Sequence, residues 1–376
     1  MLRKTERRES AVSTSGKVLS VMTGHPSFAP ENCINRRQRR YACTVCSDVC
    51  PKGVFSLSAG ERMKWDRCID CGLCTAACPS RCFLPSPSSQ RSYTEDLDLS
   101  GPLTLVCREE EEHGALRVRC LAAVPWELLA LIAMQTELVL YVGRCAGCAH
   151  PEWAGRVREQ LALVRDFLGE DRWSRQVHVL TEGRFEAPEA AEEEEKALTR
   201  REIFSGVKRR MAKGLYKAAA ARLPLLAEEE ASNPMQYRRA LARAVLAEQK
   251  RAKEAAEGEK APDYGVQLPR FTANCYGCGI CEKLCPQKAI EIGPEKDGTR
   301  LIYLTPWKCT GCSLCMHVCP HGGISGLHSI RVPGLTQLAL VRVAGASCER
   351  CGMSIPPGSD PPLCPACAAK AGRWKR

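Results

Sequence analysis

Eight cysteines between positions 275 and 319 constrain this chain more than any other feature. They read Cys275-x2-Cys278-x2-Cys281-x3-Cys285-Pro286 and then Cys309-x2-Cys312-x2-Cys315-x3-Cys319-Pro320, the spacing that holds 4Fe-4S clusters on thiolates. An x2 spacing lets one short loop curl round a cubane and offer three sulfurs. The fourth Cys, ahead of Pro, reaches the neighbouring cluster. The run therefore predicts one cluster on Cys275, Cys278, Cys281 and Cys319, and a second on Cys309, Cys312, Cys315 and Cys285. Zinc knuckles, the alternative, take cysteines in pairs rather than triplets.

With that motif, residues 269–330 resemble a dicluster ferredoxin, an α+β unit. A second such unit is expected over 31–92. Its later half is regular, Cys68-x2-Cys71-x2-Cys74-x3-Cys78-Pro79, but its earlier half, Cys43-x2-Cys46-x3-Cys50-Pro51, lacks the first cysteine at the usual distance. The nearest candidate is Cys33, across the nine residues 34–42. Cross-ligation then gives Cys33, Cys43, Cys46 and Cys78 for one 4Fe-4S cluster, and Cys68, Cys71, Cys74 and Cys50 for the other. Without Cys33 the first site becomes a 3Fe cluster or is completed by another group. Downstream of each Cys-Pro a small or medium residue precedes a large apolar one: Val54-Phe55, Cys82-Phe83, Ala289-Ile290 and Gly323-Ile324. Cys82 thus holds a packing position, and free cysteine behaves as a small buried hydrophobe.

Twenty-five cysteines in 376 residues, an odd number with no apolar leader behind Arg7-Arg8, point to metal thiolates in a reducing compartment, the cytoplasm, rather than to disulfides. The most apolar run, Leu121 to Val142, is interrupted by Pro125, Glu127, Gln135 and Glu137, so no membrane span is expected. The formal charge of +11 counts every thiol as neutral. Thiolate-bound clusters would contribute roughly −10 and a tetrathiolate zinc about −2. The basic residues then offset cluster charge, and a nucleic-acid partner is not expected.

Residues 1–30 are polar, charged and aperiodic, which reads as a flexible arm. Over 93–185, Leu103 to Cys107, Ala115 to Cys120, Glu137 to Gly143 and Gln176 to Leu180 read as strands, separated by a helix from Pro125 to about Met134 and one carrying Trp153, Val157, Leu161, Val164 and Leu168 on one face. Alternation of this kind predicts an α/β domain on a parallel sheet. Ligands in such sheets lie beyond the carboxyl ends of the strands. Cys107, Cys120, Cys145 and Cys148 all fall there, where four thiolates suit a 2Fe-2S cluster or zinc; the alternative is four buried, unligated thiols. The stretch from Val118-Arg-Cys120 to Cys145-Ala-Gly-Cys148-Ala-His150 resembles the iron-sulfur subunit of methyl-viologen-reducing hydrogenase. That resemblance implies a flavodoxin-like fold, a 2Fe-2S cluster and electron delivery to heterodisulfide reductase. Ala122 stands where that family has Gly, and the closing Cys pair is tighter. His150 reads as a helix-start residue.

Residues 186–268 shift to Ala, Glu, Lys and Arg and read as a helical connector. Ile203, Phe204, Val207, Met211, Leu215 and Tyr216 form an apolar stripe among Arg200, Arg201, Lys208, Arg209, Arg210 and Lys213, suited to packing across the ferredoxin units, or to a partner or membrane surface. In the tail, 331–376, Cys348-x2-Cys351 and Cys364-x2-Cys367 stand twelve residues apart and make a tetrahedral four-sulfur site. The spacing is similar to the rubredoxin-like module of rubrerythrins, which implies a single iron; a zinc ribbon fits it equally, and zinc is the expectation. These ligand sets use every cysteine except Cys82.

No Walker A loop, no GxGxxG after a strand, no HExxH and no nucleophile elbow occurs. The sequence therefore predicts a non-catalytic electron-transfer subunit, working between oxidoreductases of hydrogenase, formate dehydrogenase or heterodisulfide reductase type in anaerobic metabolism. Two other classes are a redox- or oxygen-sensing regulator contacting nucleic acid, and an enzyme whose 93–185 domain reacts with a thiol or disulfide.

Overall fold

The computed structural model describes residues 18–19, 26–38, 41–55, 63–84, 99, 101–110, 116–182, 233–254, 262–295 and 299–373. Strand β1 (Val18–Leu19) lies inside the stretch expected to be a free arm, yet it joins the edge of the central sheet. Strand β2 (Ser27–Phe28) pairs antiparallel with β3 (Phe83–Leu84), and Ala29 N–H donates to Cys82 O at 2.8 Å beyond the ladder. The N-terminal cysteine-rich segment thus closes on itself from before residue 31. Phe83 packs between Phe28 and Phe55, with ring centroids 5.5 and 5.1 Å away.

The middle region holds β4 (Leu103–Cys107), β5 (Leu116–Val118), β6 (Leu138–Tyr141) and β7 (Val177–Leu180) in the order β1-β5-β4-β6-β7, with every neighbour parallel. All of β6 is buried, as a strand covered on both faces must be, which is why it reads as an unbroken apolar run. Helix Trp126–Ala133 follows Pro125, which sits one place outside the helix as its cap; Trp126 N–H donates to Gln160 Oε1 at 2.9 Å. Helix Glu152–Leu168 buries Val157, Leu161, Val164, Phe167 and Leu168. From central β4 the chain passes to β5 on one side and to β6 on the other. An order of this kind sends the loops after β4 and β6 opposite ways at the carboxyl edge, where such folds form their crevice.

Helix Gln236–Glu254 buries Ala240, Leu241 and Val245 against helix Trp126–Ala133. The connector ends earlier than residue 268. Strand β8 (Tyr264–Phe271) buries Tyr264, Val266 and Leu268 at a period of two, the spacing of a strand and not of a helix. The stripe from Ile203 to Tyr216 lies outside the described residues.

The C-terminal unit contains β9 (Ile290–Pro294), β10 (Arg300–Leu304), β11 (Ile324–Val332) and β12 (Leu338–Val343). Strand β11 pairs antiparallel with β8, and β12-β10-β9 form a second antiparallel sheet. Residues 331–343 therefore belong to this unit and not to the tail. The tail proper is a hairpin of β13 (Ala346–Ser347) and β14 (Ser354–Ile355), followed by helix Pro365–Arg373.

One apolar core runs through all three regions, from Val54, Phe55 and Leu73 through Leu128, Ile132 and Leu140 to Ile290, Ile302 and Leu304. A buried charge cluster pins the same regions together. Glu127 Oε1 accepts from Arg81 Nη2 at 2.5 Å and from Arg238 Nη1 at 3.1 Å, while Arg238 also donates to the carbonyls of Pro306, Trp307 and Cys309. Among the described residues no helix is long and apolar enough to cross a membrane.

Candidate functional site

Each of the four Cys-Pro corners is built the same way. Proline fixes its own φ, and the residue three after the cysteine turns left-handed: Gly53 (φ 57°), Arg81 (53°), Lys288 (50°) and Gly322 (63°). The next backbone N–H then points back at the sulfur. Val54 donates to Cys50 Sγ at 3.4 Å, Cys82 to Cys78 Sγ at 3.3 Å, Ala289 to Cys285 Sγ at 3.3 Å and Gly323 to Cys319 Sγ at 3.1 Å. Donors of this kind stabilise a thiolate and tune whatever metal it holds.

The triplet loops repeat a second device. Left-handed residues stand two and four places after the first cysteine, as Asp70 and Gly72, Gly277 and Gly279, and Gly311 and Ser313. Cys68, Cys71 and Cys74 line a cavity together with Cys50, and Cys309, Cys312 and Cys315 line one together with Cys285. The early half of the N-terminal unit lacks this pattern and uses side-chain amides instead. Asn35 donates to Cys43 O at 2.8 Å and accepts from Cys43 N–H at 2.7 Å, and Gln38 accepts from Tyr41 N–H at 2.8 Å while donating to Tyr41 O. These clamps fold the segment after Cys33 so that Cys33 reaches Cys43 and Cys46.

The sulfurs gather in sets of four, visible in how each thiol opposes ionisation of its neighbours. Burial, with the charges of Cys78, Cys43 and Cys33, pushes Cys46 up to about 12. Burial raises Cys74, and Cys71, Cys68 and Cys50 add to the effect. Burial with Cys275, Cys278 and Cys319 pushes Cys281 up to about 12, and burial with Cys309 and Cys285 pushes Cys312 up to about 11. At the crevice of the parallel sheet, burial with Cys145, Cys107 and Cys148 pushes Cys120 up to about 11. Gly143, at the turn toward Cys145, has no room for a side chain, since a Cβ would stand 2.1 Å from Thr181 O. Half-buried thiols drawn together in this way suit a metal, which deprotonates and neutralises them.

The tail set differs in scale. The sulfurs of Cys348, Cys351, Cys364 and Cys367 all lie within 4.8 Å of one another, with Cys351 and Cys364 at 3.6 Å. A tetrahedron with metal–sulfur bonds of about 2.3 Å has an edge of roughly 3.8 Å, so this set fits a single ion. Among the described residues no other group of three or more Cys, His, Asp or Glu donors is drawn so close. The Cys364 backbone N–H, with those of Arg350 and Cys351, pulls the Cys348 thiol down to about 6.

Residues 274–323 match the 4Fe-4S dicluster domain. No curated protein and no solved structure matches the chain. The matched segment spans both C-terminal triplet loops and both of their Cys-Pro corners, whose cradles fit iron-sulfur clusters by donor chemistry and by sulfur-directed N–H groups.

Several contacts beside the sulfurs gave no signal in the sequence. Arg119, next to Cys120, donates to Ile69 O and Asp70 O in the Cys68–Cys71 loop, at 2.9 Å each, and its charge favours the Cys71 thiolate. Tyr41 stacks on His317 at 3.8 Å between Cys43 and Cys312; burial, then those two thiols, raise its hydroxyl. Arg37 donates to Leu284 O at 2.8 Å across the same junction. His150 stacks on Trp153 at 3.9 Å, and its backbone N–H donates to Cys148 Sγ at 3.4 Å. Cys82, expected only to pack, is 3 % exposed and also touches sulfur, its Sγ 3.2 Å from Cys78 Sγ.

Proposed function

We propose that the chain is an electron-transfer protein holding four 4Fe-4S clusters in its two ferredoxin-type units, a 2Fe-2S cluster at the sheet crevice, and one zinc or iron ion in the tail. Such clusters take up and release single electrons, with potentials set by hydrogen bonds to sulfur, charge and exposure. What supports the reading is a file of contacts that leads from one sulfur set to the next. Arg119 joins the crevice set to the Cys50, Cys68, Cys71 and Cys74 set. Helix Leu73–Ala77 links that set to Cys33, Cys43, Cys46 and Cys78. Across the Tyr41–His317 stack comes Cys285, Cys309, Cys312 and Cys315, whose Cys315 feels the charge of Cys281 in the next set. The tail lies at the far end, where Ser354 Oγ donates to Tyr276 O at 3.0 Å.

Such a file suits transfer between two partner oxidoreductases of the hydrogenase, formate dehydrogenase or heterodisulfide reductase type, one at the crevice and one at the C-terminal unit. Arg37, Arg81, Arg119 and Arg238 are spent on internal carbonyls and carboxylates. That use supports a relay over a nucleic-acid-binding regulator. Protein purified under anaerobic conditions should contain about 18 iron and 18 sulfide per chain with zinc in the tail, or about 19 iron with iron there. Iron near 8 per chain, with the N-terminal sites empty, would sink the reading.

A further inference from the structure

We infer that Cys82 is a reserve ligand for the iron corner held by Cys33, so that this one site carries five usable sulfurs. The inference rests on the reading that Cys33, Cys43, Cys46 and Cys78 hold a 4Fe-4S cluster. Its grounds are the repeat geometry and the contact of the Cys82 sulfur with that of Cys78.

In the C-terminal unit the equivalent of Cys82 is Gly323, four residues after Cys319. A Cβ built at Gly323 would stand 3.0 Å from Cys275 Cα and 3.1 Å from Cys275 Cβ. This position of the repeat therefore shoulders directly against the first ligand of the cluster that its own Cys-Pro serves. In the N-terminal unit the first ligand, Cys33, arrives from a displaced segment, and a side chain fits where the C-terminal unit has none. The side chain there is a thiol. Its sulfur lies 3.2 Å from that of Cys78, and Cys33 stands near enough to act on its ionisation.

The Cys82 backbone is held at both ends, its N–H on Cys78 Sγ and its carbonyl accepting from Ala29 N–H. Only the side-chain torsion is left to move. That torsion is the freedom by which a sulfur already beside Cys78 would turn to the corner of Cys33. Cys33 is also the ligand delivered by the irregular loop, so a substitute has its use at this corner and not at the others.

The test uses the full-length chain, reconstituted anaerobically with iron and sulfide, as wild type, Cys33→Ala, Cys82→Ala and the double variant. Iron per chain and the 3Fe EPR signal are read on the reconstituted protein poised just oxidising enough to show 3Fe clusters, with no ferricyanide added. Cys33→Ala and Cys82→Ala should each keep the wild-type iron content and show no 3Fe signal, whereas the double variant should lose one iron and show a full 3Fe signal. A full 3Fe signal in Cys33→Ala alone, no smaller than in the double variant, overturns the inference, and so does a 3Fe signal in Cys82→Ala alone. If Cys33→Ala yields no folded protein, ferricyanide oxidation of Cys82→Ala decides. Its 3Fe signal should grow at least threefold faster than that of wild type, and equal rates overturn the proposal. Wild-type protein without 4Fe signals would instead refute the reading of the site itself.

Discussion

Glu127→Gln isolates the buried charge that ties the three regions together. Glu127 is 1 % exposed, and its Oε1 alone accepts from both Arg81 and Arg238, whose side chains are 12 % exposed. Its Oε2 has no hydrogen-bond partner among the described residues, so an amide nitrogen there forfeits no bond. The substitution keeps volume and one acceptor and removes the negative charge between two guanidiniums. Breaking a buried ion pair from one side costs about 3–5 kcal/mol. The retained acceptor places this case at the low end, about 3 kcal/mol, which lowers the melting midpoint by roughly 6–12 °C for a unit of this size.

Anaerobic thermal unfolding of metal-loaded protein, at one scan rate, measures the shift. The effect also has a pH signature. Burial pushes the Glu127 carboxyl up, but the Arg81 and Arg238 charges outweigh it and hold it below the usual carboxylate range. A depressed carboxyl contributes stability above its unfolded value of 4.5 and loses it as pH falls through the folded value. The gap between wild type and variant should therefore be full at pH 7 and shrink below pH ~4.5. A shift under about 1 °C at pH 7 would refute the claim that this charge cluster carries the docking of the regions.

Arg238→Met should lower the midpoint potential of the Cys285, Cys309, Cys312 and Cys315 cluster, because the Arg238 guanidinium donates to Cys309 O at 2.7 Å and favours the Cys309 thiolate. One charge at about 10 Å in an effective dielectric near 20 is worth about 1.7 kcal/mol, or about 70 mV for one electron; an EPR-monitored redox titration measures it. A chelator should remove one metal ion from Cys348, Cys351, Cys364 and Cys367 and expose 346–373 to protease, leaving iron-sulfur content unchanged. Metal analysis and limited proteolysis check this.

The dicluster motif over 274–323 was legible because cysteine spacing reports loop closure directly. The four middle strands were legible too, since β4 and β6 are apolar runs and Cys107 marks where one ends. What stayed hidden depends on long-range placement. Gly53 and Gly322 announce a left-handed turn, but Arg81 and Lys288 adopt the same turn with nothing in their chemistry to say so. Tyr264 to Leu268 reads as the end of a helical stretch until β11 pairs with it. Asn35 and Gln38 are ordinary polar residues until their amides bond the backbone of Cys43 and Tyr41.

The junction at Tyr41 and His317 sets the order in which the chain can be completed. Arg37 and the Leu284 carbonyl it bonds are 247 residues apart, and contacts of such separation form late. As synthesis proceeds from the N-terminus, Cys33, Cys43 and Cys46 emerge long before the segment that covers them. They stay uncovered during that interval, until Ile280, Leu284, Leu314 and Val318 pack on Ile34. A truncated or stalled chain would therefore leave its earliest thiols uncovered.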